Sequence, residues 1–290
     1  MPTVLRTPGD SGLSEVVRVL RDWQHDGAPV QLHPGDLGWH WRFGAEATAA
    51  AVRTWIRAGQ ILAVGLIDGP RLVRLAVAPD ADQDEELARR VVADVTRPKC
   101  GVLPPGPAYV EARRGRLLRD LLVETGWEPD EPWTPLCRDL SDPVAGCGLR
   151  IEVTGADQAR ARVAVQRAAF ENSTFTTACW QVMAAGPAYA DARCLVGYDE
   201  RDIPVAAVTV WSAGPGRPGL LEPMGVHREH RGHGYGTAIT VAAAAALREM
   251  GASSATVCTA SAKAGAVATY RSAGFRSLPD VRDLGRGSGG

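Results

Sequence analysis

Apolar residues recur along this chain with two rhythms, and a change of rhythm marks a change of element. Leu13, Val16, Val17, Leu20 and Trp23 follow three- and four-residue steps, which predicts a helix over residues 11–25. Residues 27–44 are rich in Gly and Pro around Trp39, His40 and Trp41, and read as an ordered loop. A second helix is expected over residues 45–57. Two strands, 61–67 and 72–78, flank a turn made by Asp68, Gly69, Pro70 and Arg71. A helix over 83–96, a Pro/Gly-rich break over 98–107, a strand over 109–112 and a helix over 116–125 follow. A last strand, 133–140, is expected to close this half.

Residues 141–148 carry Pro143, Gly146 and Gly148 and make the best linker. Beyond them the order of elements repeats. A strand over 149–154 leads to a helix over 156–170 and an irregular or helical stretch to residue 187. Strands 194–198 and 205–211 should pair antiparallel. A strand over 220–226, a helix over 234–250, a strand over 255–259, a helix over 264–273 and a strand over 275–284 complete the half. Both halves contain a helix ended by Gly and followed by an aromatic residue, at Gly126–Trp127 and at Gly274–Phe275. A left-handed Gly commonly caps a helix C-terminus. With the matching element order, this predicts a tandem duplication, with domains over 1–142 and 149–284 and a flexible tail over 285–290.

Composition narrows the class. A chain of 290 residues with 45% hydrophobic residues suits two packed domains. The formal net charge is −1, so no long-range field favours nucleic acid or an anionic membrane. The N-terminal residues lack the pattern of a signal peptide. The longest nearly uncharged run, 237–247, falls well short of the roughly 20 apolar residues of a membrane span. A soluble, cytoplasmic protein is expected. The six cysteines form no C-x-x-C pair and read as scattered reduced thiols.

Candidate chemistry concentrates at Val226, His227, Arg228, Glu229, His230, Arg231, Gly232, His233, Gly234, Tyr235, Gly236 and Thr237. An apolar strand precedes this Gly-rich turn and an Ala-rich helix follows it. The first N–H groups of a helix have no partner within it, and the helix dipole makes that end positive. Glycines let a ligand approach the backbone, so a pyrophosphate fits there. The Walker and dinucleotide glycine patterns are both absent. His227, His230 and His233 recur every three residues, but in a turn rather than on a helix face, so no metal is expected.

The spacing Arg231-x-x-Gly234-x-Gly236 resembles the Gln/Arg-x-x-Gly-x-Gly/Ala signature of the GNAT N-acetyltransferase superfamily. Tyr270 before Gly274–Phe275 resembles that family's second motif. The two motifs together cover about 56 residues, and the wider likeness, over 149–284, rests on element order. Two positions depart from the family pattern, Lys263 where Asn is common and Arg228 where Pro is usual. The resemblance implies an α/β (α+β) fold of two GNAT-like domains. Each would be a mixed, mostly antiparallel sheet flanked by helices, with splayed parallel strands in the carboxy-terminal domain. It also implies transfer of an acetyl group from acetyl-CoA to an amine by direct attack in a ternary complex, with no metal.

On this resemblance Met224, Gly225, Val226 and His227 would line the acyl-CoA strand, with the Val226 N–H polarising the thioester carbonyl. Backbone N–H groups of Arg231, Gly232, His233, Gly234, Tyr235, Gly236 and Thr237 would hold the pyrophosphate. Glu222 lies four residues before Val226, hence on the same face of the strand, and is the candidate base. Its plainer role is an ion pair or a contact to the substrate ammonium. Tyr270 resembles the family's general acid, and its plainer role is core packing. The amino half has no such loop. Its equivalent stretch, residues 77–86, lacks glycine and carries Asp80, Asp82, Asp84, Glu85 and Glu86. That half is therefore expected to be degenerate, binding no CoA and either shaping the substrate site or supporting the fold.

The expected partner is a small-molecule amine, with no nucleic acid and no membrane; a homodimer is compatible. Alternatives are acetylation of a protein or peptide amine, a mycothiol synthase-like enzyme, or a non-catalytic acyl-CoA sensor. Trp39, Trp41, Trp180 and Trp211 read first as core and second as pocket walls. Glu171, Asn172 and Ser173 read as a polar loop rather than an acceptor contact. Arg113, Arg114, Arg116 and Arg119 read as a solvated basic face.

Overall fold

A computed structural model describes residues 1–287. The chain opens with β1 (Val4–Arg6) and α1 (Leu13–Asp22), which buries Leu13, Val16, Val17 and Leu20 as its periodicity requires. Within the stretch expected to be a loop lies a helix, α2 (Pro34–His40). Pro34 opens it, where a missing N–H does no harm, and His33 and Asp36 form a reciprocal capping box across its first turn. A Cβ on Gly35 or Gly38 would overlap Trp211, so the glycines that suggested a loop instead let α2 lie directly on that indole.

The helix expected over 45–57 is half helix and half strand: α3 (Ala45–Ala51), then β2 (Val52–Arg57). The alanines carry the helix. Val52, Thr54 and Trp55 turn inward, and β2 pairs with β1 and with β3 (Gln60–Ile67). Next come β4 (Leu72–Val77), α4 (Glu85–Thr96), β5 (Ala108–Ala112), α5 (Arg116–Glu124) and the long β6 (Glu128–Asp139). The carboxy half contains β7 (Arg150–Val153), α6 (Ala159–Ala169), α7 (Thr177–Ala184), β8 (Ala192–Tyr198), β9 (Pro204–Trp211) and β10 (Gly219–Val226). It ends with α8 (Tyr235–Glu249), β11 (Ser254–Ala260), α9 (Ala264–Ser272), β12 (Arg276–Ser277) and β13 (Val281–Arg286).

Among the described residues, thirteen strands form one mixed sheet ordered β1-β2-β3-β4-β5-β13-β6-β11-β10-β9-β8-β7, with β12 on β6. Only β4–β5 and β10–β11 pair in parallel. The order corrects two expectations. Residues 133–139 of β6 pair with β11 rather than closing the amino half. The strand that completes the amino half is β13, inserted between β5 and β6. Gly285 and Arg286, expected in a flexible tail, pair in β13. The Arg286 guanidinium donates to the Thr96, Pro104 and Gly106 carbonyls. Residues 288–290, the rest of that expected tail, lie outside the described residues.

One apolar core underlies the amino half and continues through Trp211, Phe175, Trp180 and Met183. A second lies between the carboxy sheet and α8, where Ala242, Ala243, Ala244 and Ala246 let helix and sheet approach closely. No helix among the described residues is long and apolar enough to cross a membrane.

Candidate active site at the splay of two parallel strands

β10 and β11 pair only at Gly219–Ala255 and Leu220–Thr256, then part. On its other edge β10 stays paired with β9 up to Val226–Ala206, with a register shift between Leu221 and Met224. The His227 N–H donates to the Val205 carbonyl across that edge at 2.8 Å. Antiparallel pairing turns successive residues to opposite edges, so the N–H groups of Met224 and Val226 face the gap left by β11. This gap is where the thioester carbonyl was expected.

At its carboxyl end β10 runs into the Gly-rich turn. Gly234 caps α8 with φ +81°, a left-handed conformation that strains any residue with a Cβ, and no side chain caps this end. The first intrahelical bond comes from the Ala238 N–H to the Gly234 carbonyl at 3.0 Å. The preceding N–H groups, of Tyr235, Gly236 and Thr237, are thus left for an anion. A Cβ on Gly236 would meet Thr269 Cγ2 at 3.0 Å and Val226 Cγ2 at 3.4 Å, at the seam of β10, α8 and α9. Arg231 and Arg228 tie the loop to the end of α6 by donating to the Ala169 and Ala168 carbonyls at 2.9 and 2.8 Å.

A cavity of about 1020 Å³ joins these elements. Its wall includes Glu222, Met224, Gly225, Val226, Arg231, Gly232, Gly234, Tyr235, Gly236, Thr237 and Tyr270. His227 and His233 stand outside it. The His227 ring accepts from the Glu229 N–H, and the His233 ring stacks on Tyr235 with centroids 5.7 Å apart. His230 joins the wall instead. Among the described residues, no group of three His, Cys, Asp or Glu side chains is placed to hold a metal.

Tyr270 is 6% exposed, and burial, with Glu222 and Cys258 adding to it, holds its phenol pKa well above the ordinary value. It therefore stays a neutral proton donor through the physiological range. Glu222 keeps 30% of its side chain open to the cavity. Burial by surrounding atoms and the nearby Asp36 push its carboxyl well above the usual range, against the pull of Arg74. Trp211 supports Glu222 from behind, its indole N–H donating to the Glu222 carbonyl at 2.7 Å.

The amino half supplies the rest of the wall through Val30, Gln31, Asp36, Asp68, Leu72, Arg74, Glu111 and Arg113; Asp283 on β13 adjoins them. None of these except Arg113 stood out in the sequence. Arg113 is 4% exposed and pairs with Asp283 at 2.8 Å, so it is no part of a solvated face; Arg116, 84% exposed, is. Burial pushes the Asp283 carboxyl up to about 6. A signal was present: Arg74 and Glu111 sit among apolar strand residues and turn out to be register partners on β4 and β5. Of the tryptophans, Trp39 packs on Phe175, Trp180 and Trp211 flank Tyr189, and Trp41 would meet a Cβ on Gly186; all four lie outside the cavity wall. Trp133, at the centre of β6, lines it.

Splayed parallel strands, an uncapped glycine turn and a buried phenol thus share one cavity. Residues 161–275 match the acetyltransferase (GNAT) family. A search among curated proteins returns no significant match. Among solved structures, the chain is similar to a tandem GNAT protein from the clavulanic acid biosynthesis pathway, crystallised without AcCoA. The TM-score is 0.62 at 13% identity, over 99% of both chains. It is also similar to an acetyltransferase of the GNAT family from Colwellia psychrerythraea (TM-score 0.60, 14% identity, 98% of both chains). A GCN5-related N-acetyltransferase from Sphaerobacter thermophilus gives 0.57 at 16% identity, over 98% of this chain and 95% of the other. Residues 161–275 thus match the GNAT family, within a chain whose fold is similar to that of tandem GNAT proteins.

Proposed function

We propose that this protein transfers an acetyl group from acetyl-CoA to a small-molecule amine by direct attack in a ternary complex. The observation that carries the reading is the single cavity in which the free α8 N–H groups, the outward Val226 N–H, Glu222 and Tyr270 all meet. Its volume lies near the upper end of small-molecule sites, enough for a pantetheine arm and a small acceptor together. The acetyl donor contributes a thioester. The N–H groups of Tyr235, Gly236 and Thr237 hold the diphosphate, and the Val226 N–H donates to the carbonyl oxygen as charge develops there. Glu222 accepts the amine proton, directly or through one water. The new C–N bond forms as the C–S bond breaks, and the Tyr270 hydroxyl gives its proton to the departing sulfur.

The acidic wall next to Glu222 favours an acceptor that arrives as an ammonium ion, which supports a small amine over a neutral hydroxyl acceptor. Acetylation of a peptide amine, mycothiol synthase-like chemistry and a silent acyl-CoA sensor are the competing outcomes. The test is release of free CoA thiol across a panel of small amines and peptides, with Tyr270→Phe as control. Turnover with small amines, slowed in Tyr270→Phe at unchanged acetyl-CoA affinity, is expected. Acetyl-CoA binding without thiol release on any acceptor would favour the sensor.

A further inference from the structure

One part of the cavity wall has no role in the proton transfers above: the charged cluster from the amino half. Arg74 stands at its centre. Its Nη1 lies 2.7 Å from Asp36 Oδ1, 3.6 Å from Asp68 Oδ2 and 3.9 Å from Glu222 Oε1, and its Nε lies 3.1 Å from Glu111 Oε2. One guanidinium on β4 thus gathers carboxylates from α2, the β3–β4 turn, β5 and β10. Each end of this arrangement is fixed. The Arg74–Glu111 pair lies in register across β4 and β5. Asp36, its side chain 1% exposed, accepts the His33 N–H at 2.6 Å and is locked in the α2 capping box. The Asp36 and Glu222 carboxyls share the Arg74 Nη1, so their charges lie close together. Two carboxylates gathered at one cation repel each other, and Arg74 offsets that repulsion.

We propose that Arg74 and Asp36 are positioning residues for Glu222, which makes the amino half a working part of the active site and not only a scaffold. The proposal rests on the reading of Glu222 as the proton acceptor. Arg74 draws the Glu222 carboxyl toward its ionised form and aims it into the cavity; Asp36 pushes it toward the protonated form. The other charged or titratable groups facing Glu222 are Arg42 beyond α2, Asp68 in the β3–β4 turn and Tyr270 on α9, while Glu111 acts through Arg74. Arg74 and Asp36 are themselves paired at 2.7 Å and act on Glu222 with opposite sign.

The sign of each effect follows. A base must be ionised, so rate falls as pH drops through the Glu222 midpoint. Replacing Arg74 by Met removes a cation and moves that midpoint to higher pH. Replacing Asp36 by Asn removes an anion, keeps the capping oxygen and moves it to lower pH.

The full chain labelled with carbon-13 at glutamate carboxyls gives a direct readout, with the Glu222 signal assigned by Glu222→Gln. We expect its midpoint to fall in Asp36→Asn and to rise in Arg74→Met, each by about one pH unit or more, and to stay near wild type in Arg74→Lys. The acid limb of the rate profile should move the same way. Midpoints that stay put, or that move in the same direction in both charge-removing variants, overturn the proposal. Should Arg74→Met fail to fold, an unmoved midpoint in Asp36→Asn is enough to overturn it. A midpoint that moves while the acid limb of the rate does not supports the coupling and overturns the role of Glu222 as base.

Discussion

The two halves of this sheet pass from strand to helix in opposite ways at the same place in the topology. In the carboxy half β10 leaves β11 after two paired residues and enters α8 through Gly234, with its helix N-terminus uncapped. In the amino half β4 stays paired with β5 over four residues, Leu72 to Leu75. The Val77 N–H, at the strand end matching Val226, is taken by the Gln31 Oε1 at 3.3 Å. Asp84 caps α4, accepting the Leu87 N–H at 2.8 Å, and Arg57 clamps that carboxylate through two hydrogen bonds of 2.7 Å. The helix end left uncapped in one half is satisfied by its own chain in the other. Two strand–helix junctions share one place in the topology, and side-chain chemistry decides which helix N-terminus stays open.

The largest expected effect comes from the open half. Glu222→Gln should lower kcat by about 10²- to 10⁴-fold, the usual worth of a positioned proton acceptor, with acetyl-CoA affinity retained. Steady-state rates beside calorimetry separate the two quantities. An unchanged rate would remove Glu222 from the chemistry.

A smaller effect should come from the cradle. Gly236→Val sets a Cβ against Thr269 and Val226, and Gly234→Val forces a β-branched residue to φ +81°. Each should weaken acetyl-CoA binding by about tenfold or more, from strain of about 1–2 kcal/mol or more. A dissociation constant that does not move would contradict the cradle.

The smallest effect belongs to the closed half. Asp84→Ala should lower stability by about 1 kcal/mol through the lost cap, seen as a lower Tm, and leave acetyl-CoA affinity unchanged. The hydrogen bond from Arg57 and the Leu87 N–H hold the Asp84 carboxyl below the ordinary aspartate value. Its contribution is thus complete above that ordinary value and fades as pH falls through the lowered one. The Tm difference between wild type and Asp84→Ala should accordingly shrink in acid. A difference that grows in acid would reverse the assigned sign.

Much of the open half's geometry was legible in the sequence, because it is local. The Gly-rich turn, Glu222 at a four-residue step from Val226, and Tyr270 ahead of Gly274–Phe275 each lie within one strand–helix unit. What escaped was non-local. Nothing in residues 128–139 says that one end of β6 pairs with β13 and the other with β11, because both partners lie more than a hundred residues away. Asp36, Arg74 and Glu111 escaped for the same reason, since they converge from separate elements and only Arg74 reaches on to Glu222 in the other half. The α2 glycines misled in a different way. They mark close contact with Trp211, and only the folded neighbour distinguishes that from a loop.

Isothermal titration of acetyl-CoA into the full chain tests the contrast between the halves most directly. One molecule should bind per chain, and Gly236→Val should weaken that event while Asp84→Ala leaves it alone. Two molecules per chain, or binding that survives Gly236→Val but fails in Asp84→Ala, would contradict the account.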